Sequence, residues 1–110
     1  MTTVTFFRCS GSILGYRAKG HAGYDDYGHD IVCAAVSALC QTCELGLERV
    51  AGVHFSLKTD EEKGLRELQL EDLNDRAATI LRTLEEGLTE IAKQYPGFVR
   101  ITYMERRQTS

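Results

Sequence analysis

The stretch DIVCAAVSALCQTCELGLERVAG, residues 30–52, decides the fold, because its apolar residues recur at steps of three and four. This spacing predicts a helix with one buried stripe along its length. The predicted stripe consists of Val32, Val36, Leu39, Cys43, Leu47 and Val50. Asp30 is the predicted N-cap, since its carboxylate can accept a backbone N–H of the first turn, and Gly52 is predicted to end the helix.

Two strands are predicted before this helix and two after it. Residues 4–9 and 13–19 are rich in β-branched and aromatic residues and flank a Ser-Gly-Ser turn, with Leu14, Tyr16 and Ala18 on one face of the second strand. Residues 53–57 alternate in polarity, which places His54 on the exposed face. A charged turn over 58–64 and a strand over 65–70 follow.

The rest of the chain predicts a second helix and a last strand. Asn74 or Asp72 is the expected N-cap, Pro96 stops the helix, and residues 99–103 form the strand. The inner stripe of this helix is predicted to be Ala77, Ile80, Leu81, Leu84, Leu88, Ile91 and Tyr95. The order β-β-α-β-β-α-β indicates an α+β fold of two layers, with two helices on one face of a mostly antiparallel sheet.

Composition limits the classes of function. The 110 residues are enough for a single domain, 1–110, and a net charge of -3 argues against nucleic acid as the main partner. No run of eighteen apolar residues is present, so we expect no membrane span. The first eight residues do not resemble a signal peptide, which favours the cytosol, where the four cysteines would stay reduced.

The segment that suggests chemistry begins at Gly20 and ends near Ala34. Residues 20–28, GHAGYDDYG, hold three glycines and predict a mobile loop. Cys33 is expected in the first turn of the helix, at its third position, where unpaired N–H groups and the helix dipole favour a thiolate. The amides of Val32 and Cys33 would then be free to stabilise an oxyanion.

Two histidines are candidates for activating Cys33. His21 leaves a strand just before the loop and would lie beside the start of the helix, whereas His29 is nearer in sequence but precedes the cap. Ser37 is one turn beyond Cys33 on the same face. The carboxylate of Asp30 would either orient an imidazole or disfavour a nearby thiolate, and the sequence does not choose between these roles. A cysteine at this position is also often an inert core residue.

Cys40 and Cys43 form a C-x-x-C pair in the middle of the predicted helix. The functional interpretation is a redox dithiol or half of a zinc site, and the alternative is two cysteines one turn apart, one of them in the core. No second C-x-x-C follows, and the nearest later histidine is alone. We therefore expect no metal or redox site at this pair.

The motif Gly20-His21-Ala22, then five residues, then GHDIVCAAVSA over 28–38, closely resembles the signature of the ribosomal-processing cysteine protease family, Prp. The resemblance implies small bacterial homodimeric cysteine proteases that remove an N-terminal extension from the twenty-seventh large-subunit ribosomal protein. The family cuts after an aromatic residue and needs no metal or organic cofactor. The resemblance implies that His21 and Cys33 are catalytic and that Asp30 and Ser37 match an aspartate and a serine of the family motif.

The same resemblance identifies the glycine-rich loop as the segment that orders over bound peptide. Its implied substrate-contacting residues are Gly23, Tyr24, Asp25, Asp26, Tyr27 and Gly28. We expect a cytoplasmic homodimer whose partner is the precursor of the ribosomal protein, with no direct contact to nucleic acid or membrane. The alternative hypothesis is a non-catalytic, ribosome-associated binding module on the same fold.

Overall fold

The computed structural model describes residues 1–20 and 27–107, and for residues 27–30 it describes the backbone alone. The element order predicted from the sequence is confirmed. The strands and helices are β1 (Thr2–Cys9), β2 (Ser12–Lys19), α1 (Tyr27–Gly46), a π-helical turn (Leu47–Ala51), β3 (Phe55–Asp60), β4 (Leu65–Leu70), α2 (Asp75–Gln94) and β5 (Val99–Glu105).

The five strands form one sheet in the order β3-β4-β2-β1-β5. Three of the four strand pairs are antiparallel, and β5 alone runs parallel to its neighbour, β1. The predicted mostly antiparallel α+β sheet is therefore confirmed. The parallel pair follows from α2, which carries the chain from the end of β4 across β2 and β1 to the opposite edge of the sheet, where β5 forms.

One face of the sheet packs against both helices. Alternate strand residues on this face join the apolar stripes of α1 and α2 in one core, as period-2 strands and period-3.6 helices require. The largest fully buried side chains in it include Tyr16, Phe6, Leu47, Leu68, Leu81 and Leu88. On the opposite face, Phe7 is buried beneath the guanidinium groups of Arg17 and Arg106, which lie 5.4 and 3.9 Å from its ring centroid.

The register of β2 differs from the prediction at Leu14. Phe7 pairs with Gly15 but Arg8 pairs with Ile13, so Leu14 is the extra residue of a β-bulge. Because a bulge shifts the alternation by one residue, Ile13 rather than Leu14 is buried with Tyr16.

The start of α1 also differs. The helix begins at Tyr27, so Tyr27 and Gly28 belong to its first turn rather than to the loop, and Asp30 is its fourth residue rather than its N-cap. Cys33 is the seventh residue of α1, in the second turn. The orphan amides of a helix are its first four, so the prediction of free N–H groups at Val32 and Cys33 is wrong. Helix formation is cooperative, so α1 extends from its apolar stripe back over Gly28 although glycine has a weak helix propensity.

Towards its other end, α1 packs against the sheet through Cys40, and the chain then continues as the wider π-helical turn. Cys40 takes the fully buried position, whereas Leu39 is only partly buried. The π-helical turn rotates the residues after Leu47, so Val50 is 60% exposed and the prediction of a buried Val50 is wrong. Gly52 ends the helix in the left-handed conformation, as predicted.

The second half of the chain follows the prediction closely, with four differences. Val53 is buried but precedes β3, and β3 continues through Asp60 where a charged turn was expected. The last strand, β5, continues to Glu105, beyond the predicted end at residue 103, and Tyr95 is exposed as the C-cap of α2. Asn74 is the N-cap, and its side chain accepts the N–H of Ala77 at 2.8 Å.

Residues Ile31–Ala51 are long and apolar enough to cross a membrane by length and composition. Their apolar stripe packs against the sheet and α2. The core helix of a folded domain meets the same criterion, because it also needs a long run of apolar residues.

Candidate active site

Cys33 lines a cavity of about 110 Å³ between α1 and the sheet. Its walls come from three strands and the helix, and they include Thr2, Ala18, Gly20, Ser37 and Arg66. The Cys33 side chain is partly exposed, and no disulfide involves it. A thiol in an open cavity is accessible to an electrophile, which is the first requirement for a nucleophilic cysteine.

Thr2 brings a hydroxyl group close to Cys33. Its Oγ1 lies 3.5 Å from Cys33 Sγ, and the residue is only 6% exposed. Thr2 is the first residue of β1 and pairs with Val99 of β5, and its N–H donates to Phe98 O at 2.9 Å. The parallel pairing of β1 with β5 therefore positions this hydroxyl group at the site.

Ser37 lies one helical turn after Cys33 on the same wall, as predicted. Its Oγ accepts a hydrogen bond from Gln41 Nε2 at 3.1 Å. The structure thus brings Ser37 and Cys33 into one cavity. The hydrogen bond from Gln41, one helical turn further on, holds the Ser37 hydroxyl group in place.

The end of β2 approaches the cavity through close backbone packing. The N–H of Gly20 donates to Gly64 O at 3.1 Å, which ties the β3–β4 turn to this strand end. A Cβ on Gly20 would lie 2.6 Å from both Met1 O and Thr2 Cα, so only glycine fits. His21, the predicted base, follows Gly20 directly in sequence.

Several predicted site residues fall on parts of the chain that the structure does not describe. His21, Gly23, Tyr24, Asp25 and Asp26 lie outside the described residues. The backbones of Tyr27, Gly28, His29 and Asp30 lie in the first turn of α1, and their side chains are outside the description. The roles assigned to these residues stay predictions.

A buried polar cluster beside the cavity was not predicted. Tyr16 Oη donates to Glu44 Oε2 at 2.5 Å, and Arg66 donates to the two oxygens of the same carboxylate, from Nε at 2.6 Å and from Nη2 at 2.5 Å. Burial raises the pKa of Tyr16 far above its usual range, and the hydrogen bond to Glu44 raises the pKa of Arg66. The available signal was Glu44 itself, which lies four residues after Cys40 on the buried face of α1.

Cys40 and Cys43 are core residues. Both are buried free thiols, and burial raises the pKa of Cys40 to about 11 and that of Cys43 to about 12. A redox dithiol needs an accessible thiolate, so the core interpretation of this C-x-x-C pair is favoured. Among the side chains that the structure describes, in residues 1–20 and 31–107, no group of three His, Cys, Asp or Glu is placed to hold a metal ion. The expectation of no metal stays a prediction.

A partly exposed cysteine with hydroxyl neighbours, in a cavity on an α+β domain, agrees with an enzyme that uses a cysteine nucleophile. The family model described as cysteine protease Prp matches residues 1–100. The chain therefore belongs to the Prp family and is a cysteine protease.

Curated and solved relatives agree with this assignment. The ribosomal processing cysteine protease Prp of Staphylococcus aureus (strain Mu50) is 30% identical over 94 residues, which covers 84% of this chain and 89% of the relative. The crystal structure of the S. aureus Prp with a substrate peptide matches with a TM-score of 0.88 and 28% identity, covering 94% of this chain and all of that one. A Streptococcus mutans protein, SMU.848, matches with a TM-score of 0.86 and 32% identity over 96% of both chains.

Proposed function

We propose that this cysteine protease removes the N-terminal extension of the precursor of the twenty-seventh large-subunit ribosomal protein, cutting after an aromatic residue. The observation that carries the proposal is the partly exposed Cys33 thiol in its cavity, in a chain whose S. aureus relative is named a ribosomal processing protease. The structure of that relative with a substrate peptide supports a polypeptide substrate.

The proposed reaction uses His21 as base and Cys33 as nucleophile. His21 takes the Cys33 proton, and the sulfur attacks the scissile carbonyl carbon to form a tetrahedral adduct. The C–N bond then breaks, the leaving amine takes the proton from the imidazolium, and a thioester remains on Cys33. Water, deprotonated by His21, hydrolyses the thioester and releases a carboxylate. A crystal structure of the S. aureus Prp contains a covalently linked product peptide, which supports a covalent step.

The supporting residues are proposed from the motif and from the cavity. Ser37 lines the cavity and contributes a hydroxyl group near the reacting carbonyl. Asp30 is proposed to orient the imidazole of His21, and residues 23–28 are proposed to contact the peptide, with Tyr24 and Tyr27 as aromatic contacts. Asp30 and Ser37 match positions of the family motif, and the contacts of Tyr24 and Tyr27 are proposed from their place in residues 23–28.

The proposal extends to assembly and location. We propose a homodimer, as the resemblance to the Prp family implies, and a cytoplasmic enzyme, because the proposed substrate is a ribosomal component. Sedimentation equilibrium of the purified protein tests the first, with a mass of twice 12.3 kDa expected. A monomer at micromolar concentration would contradict it.

Cleavage of the purified precursor tests the function directly. We expect the wild-type protein to release the extension, with mass spectrometry showing a new C-terminus at an aromatic residue. Cys33→Ser should fold normally and lose about a thousandfold or more of the rate. The matched control is Cys9→Ser, which removes the other partly exposed thiol and should leave the rate unchanged. Full activity in Cys33→Ser would contradict Cys33 as the nucleophile, and precursor binding without cleavage by the wild type would favour the binding-module alternative.

A further inference from the structure

Arg66 lines two cavities at once. One is the cavity of Cys33, and the other is a larger cavity of about 270 Å³ further along α1, over β3 and β4. The two cavities have no other lining residue in common, so the guanidinium group is the boundary where they meet.

A single stripe of α1 runs beside both cavities. Cys33 and Ser37 face the first, and Gln41, Glu44 and Glu48 continue at steps of three and four to face the second. Leu45, in the far cavity, is twelve residues from Cys33, which corresponds to about 18 Å along the helix. An extended peptide advances about 3.3 Å per residue, so five or six residues would cover this distance.

The far cavity has an apolar floor that is accessible from outside. Leu45 is 47% exposed and Leu57 is 40% exposed, and Phe55 beside them is partly buried. These side chains are exposed because α1 covers β4 but leaves the helix-facing side of the edge strand β3 open. Glu48 lies at the rim of the apolar floor.

Arg66 has unused hydrogen-bond donors between the two cavities. Its guanidinium carries five N–H groups, and Glu44 accepts two of them. The other three have no hydrogen-bond partner among the side chains and backbone that the structure describes. Because Glu44 balances the charge of Arg66, the open donors suit a neutral acceptor such as a main-chain carbonyl oxygen.

We propose that the far cavity is a remote substrate subsite, which takes an apolar side chain of the substrate polypeptide five or six residues from the scissile bond, with Arg66 holding the peptide backbone between. This inference rests on the proposed function and adds a second specificity determinant to it. The occupant is the substrate itself, because the cavity continues from the cavity of the nucleophile through a shared residue.

The test compares two synthetic peptides from the N-terminus of the precursor. The long peptide has eight residues on each side of the scissile bond, and the short peptide has three. Leu57→Gln removes the apolar surface of the far cavity at an exposed position. The matched control is Val50→Gln, a second exposed apolar side chain, which lines a separate cavity between α1 and α2.

For the wild type we expect kcat/KM to be at least fivefold higher with the long peptide than with the short one. Leu57→Gln should raise KM for the long peptide about fivefold, with kcat and the short-peptide kinetics unchanged. Val50→Gln should match the wild type with both peptides. In a Cys33→Ser background, where no turnover occurs, fluorescence anisotropy should show that Leu57→Gln raises the Kd for the long peptide by about the same factor.

Three results would overturn the subsite. They are equal cleavage of both peptides by the wild type, equal effects of Leu57→Gln and Val50→Gln, and a change of oligomeric state in Leu57→Gln, which would assign the cavity to a second copy of the chain. Failure of the proposed function is distinct, since the wild type would then cleave neither peptide. If the Cys33→Ser protein also bound neither peptide, the subsite would fall with the function.

Discussion

Thr2 Oγ1 lies 3.5 Å from Cys33 Sγ, within a pocket where Thr2 is only 6% exposed. Either atom can donate in the neutral state, but a Cys33 thiolate can only accept, so the threonine O–H would then point at the sulfur. A donor fixed in place by β1 would hydrogen-bond a sulfur anion at this position. Thr2 is thus a positioning residue for the Cys33 thiol, the nucleophile proposed above.

Replacing Thr2 by valine tests this contact, because valine keeps the shape and removes the hydroxyl group. We expect the rate of iodoacetamide alkylation at Cys33 to fall about fivefold in Thr2→Val, since one hydrogen bond contributes about 1 kcal/mol. Thr2→Ser should keep the wild-type rate. Thr3→Val, on the opposite face of β1, is the control, and an equal fall in it would contradict the assignment.

The buried cluster beneath the cavity predicts a loss of stability in Tyr16→Phe. This change removes the O–H that Glu44 accepts inside the core, and such a bond to a charged group contributes about 1.5–3 kcal/mol. Chemical denaturation should show a loss of about 2 kcal/mol in the free energy of unfolding. The control is Tyr103→Phe, whose hydroxyl group donates to Glu85 from a side chain that is 42% exposed, whereas Tyr16 is fully buried. Equal losses in the two variants would contradict a buried role.

The four cysteines should differ in reactivity because their burial differs. Burial raises the pKa of Cys40 to about 11 and of Cys43 to about 12, whereas Cys9 and Cys33 are partly exposed. Alkylation of the native protein at pH 7.5 should therefore modify two thiols, and alkylation in denaturant should modify four. Mass spectrometry identifies the sites. Rapid native labelling of Cys40 or Cys43 would show that the core opens there.

Local patterns predicted most of the fold. Apart from Val50 and Tyr95, the stripes of α1 and α2 and the limits of β4 agree with the structure because long periodic segments specify their own buried face. The differences arise where tertiary contacts override the pattern. The bulge at Leu14 depends on pairing with β1, and the exposure of Val50 depends on a π-helical turn that apolar spacing does not encode.

The candidate site was predicted only in part, because some of its contacts join residues that lie far apart in the sequence. Cys33 and Ser37 are neighbours on one helix, so their spacing predicts that they share a wall. Thr2 and Arg66 reach the same cavity from β1 and β4, more than thirty residues away, and no local pattern joins them to Cys33. The Glu44 partner of Arg66 is likewise determined by the packing of α1 on β4.

The His54–Asp72 pair predicts how stability depends on pH. His54 Nδ1 lies 3.0 Å from Asp72 Oδ2, and the hydrogen bond raises the pKa of His54 and lowers the pKa of Asp72. The contribution of His54 is present below its unfolded pKa of about 6.5 and is lost as the pH rises through its higher folded value. The contribution of Asp72 is present above its unfolded pKa of about 3.9 and is lost as the pH falls through its lower folded value.

Thermal denaturation of His54→Gln against the wild type measures this pair. We expect the wild type to have the higher Tm near pH 5.5, where His54 is charged and Asp72 is ionised. The difference should shrink above pH 8, because a neutral imidazole attracts the carboxylate only weakly. The magnitude will be small, since both side chains are exposed. A Tm difference that does not vary between pH 5 and pH 9 would contradict the electrostatic origin.

The contact between Gly64 and Gly20 connects the β3–β4 turn to the active site. Gly64 has a φ of +59°, and a Cβ there would lie 2.0 Å from Gly20 O. In Gly64→Ala, the turn or the end of β2 must therefore move, and Gly20 lines the Cys33 cavity directly before His21. We expect a lower free energy of unfolding and at least a tenfold loss of kcat/KM for the precursor.

Gly52→Ala separates the effect of displacement from that of backbone strain. Gly52 has a similar φ of +67°, but a Cβ there would meet nothing within 4 Å. Alanine at this position should lose about 1–2 kcal/mol of stability from the left-handed backbone alone. Cleavage measured well below the melting temperature of both variants should then be normal in Gly52→Ala and impaired in Gly64→Ala. If both variants cleaved the precursor at the wild-type rate, the position of Gly20 would have no influence on the reaction.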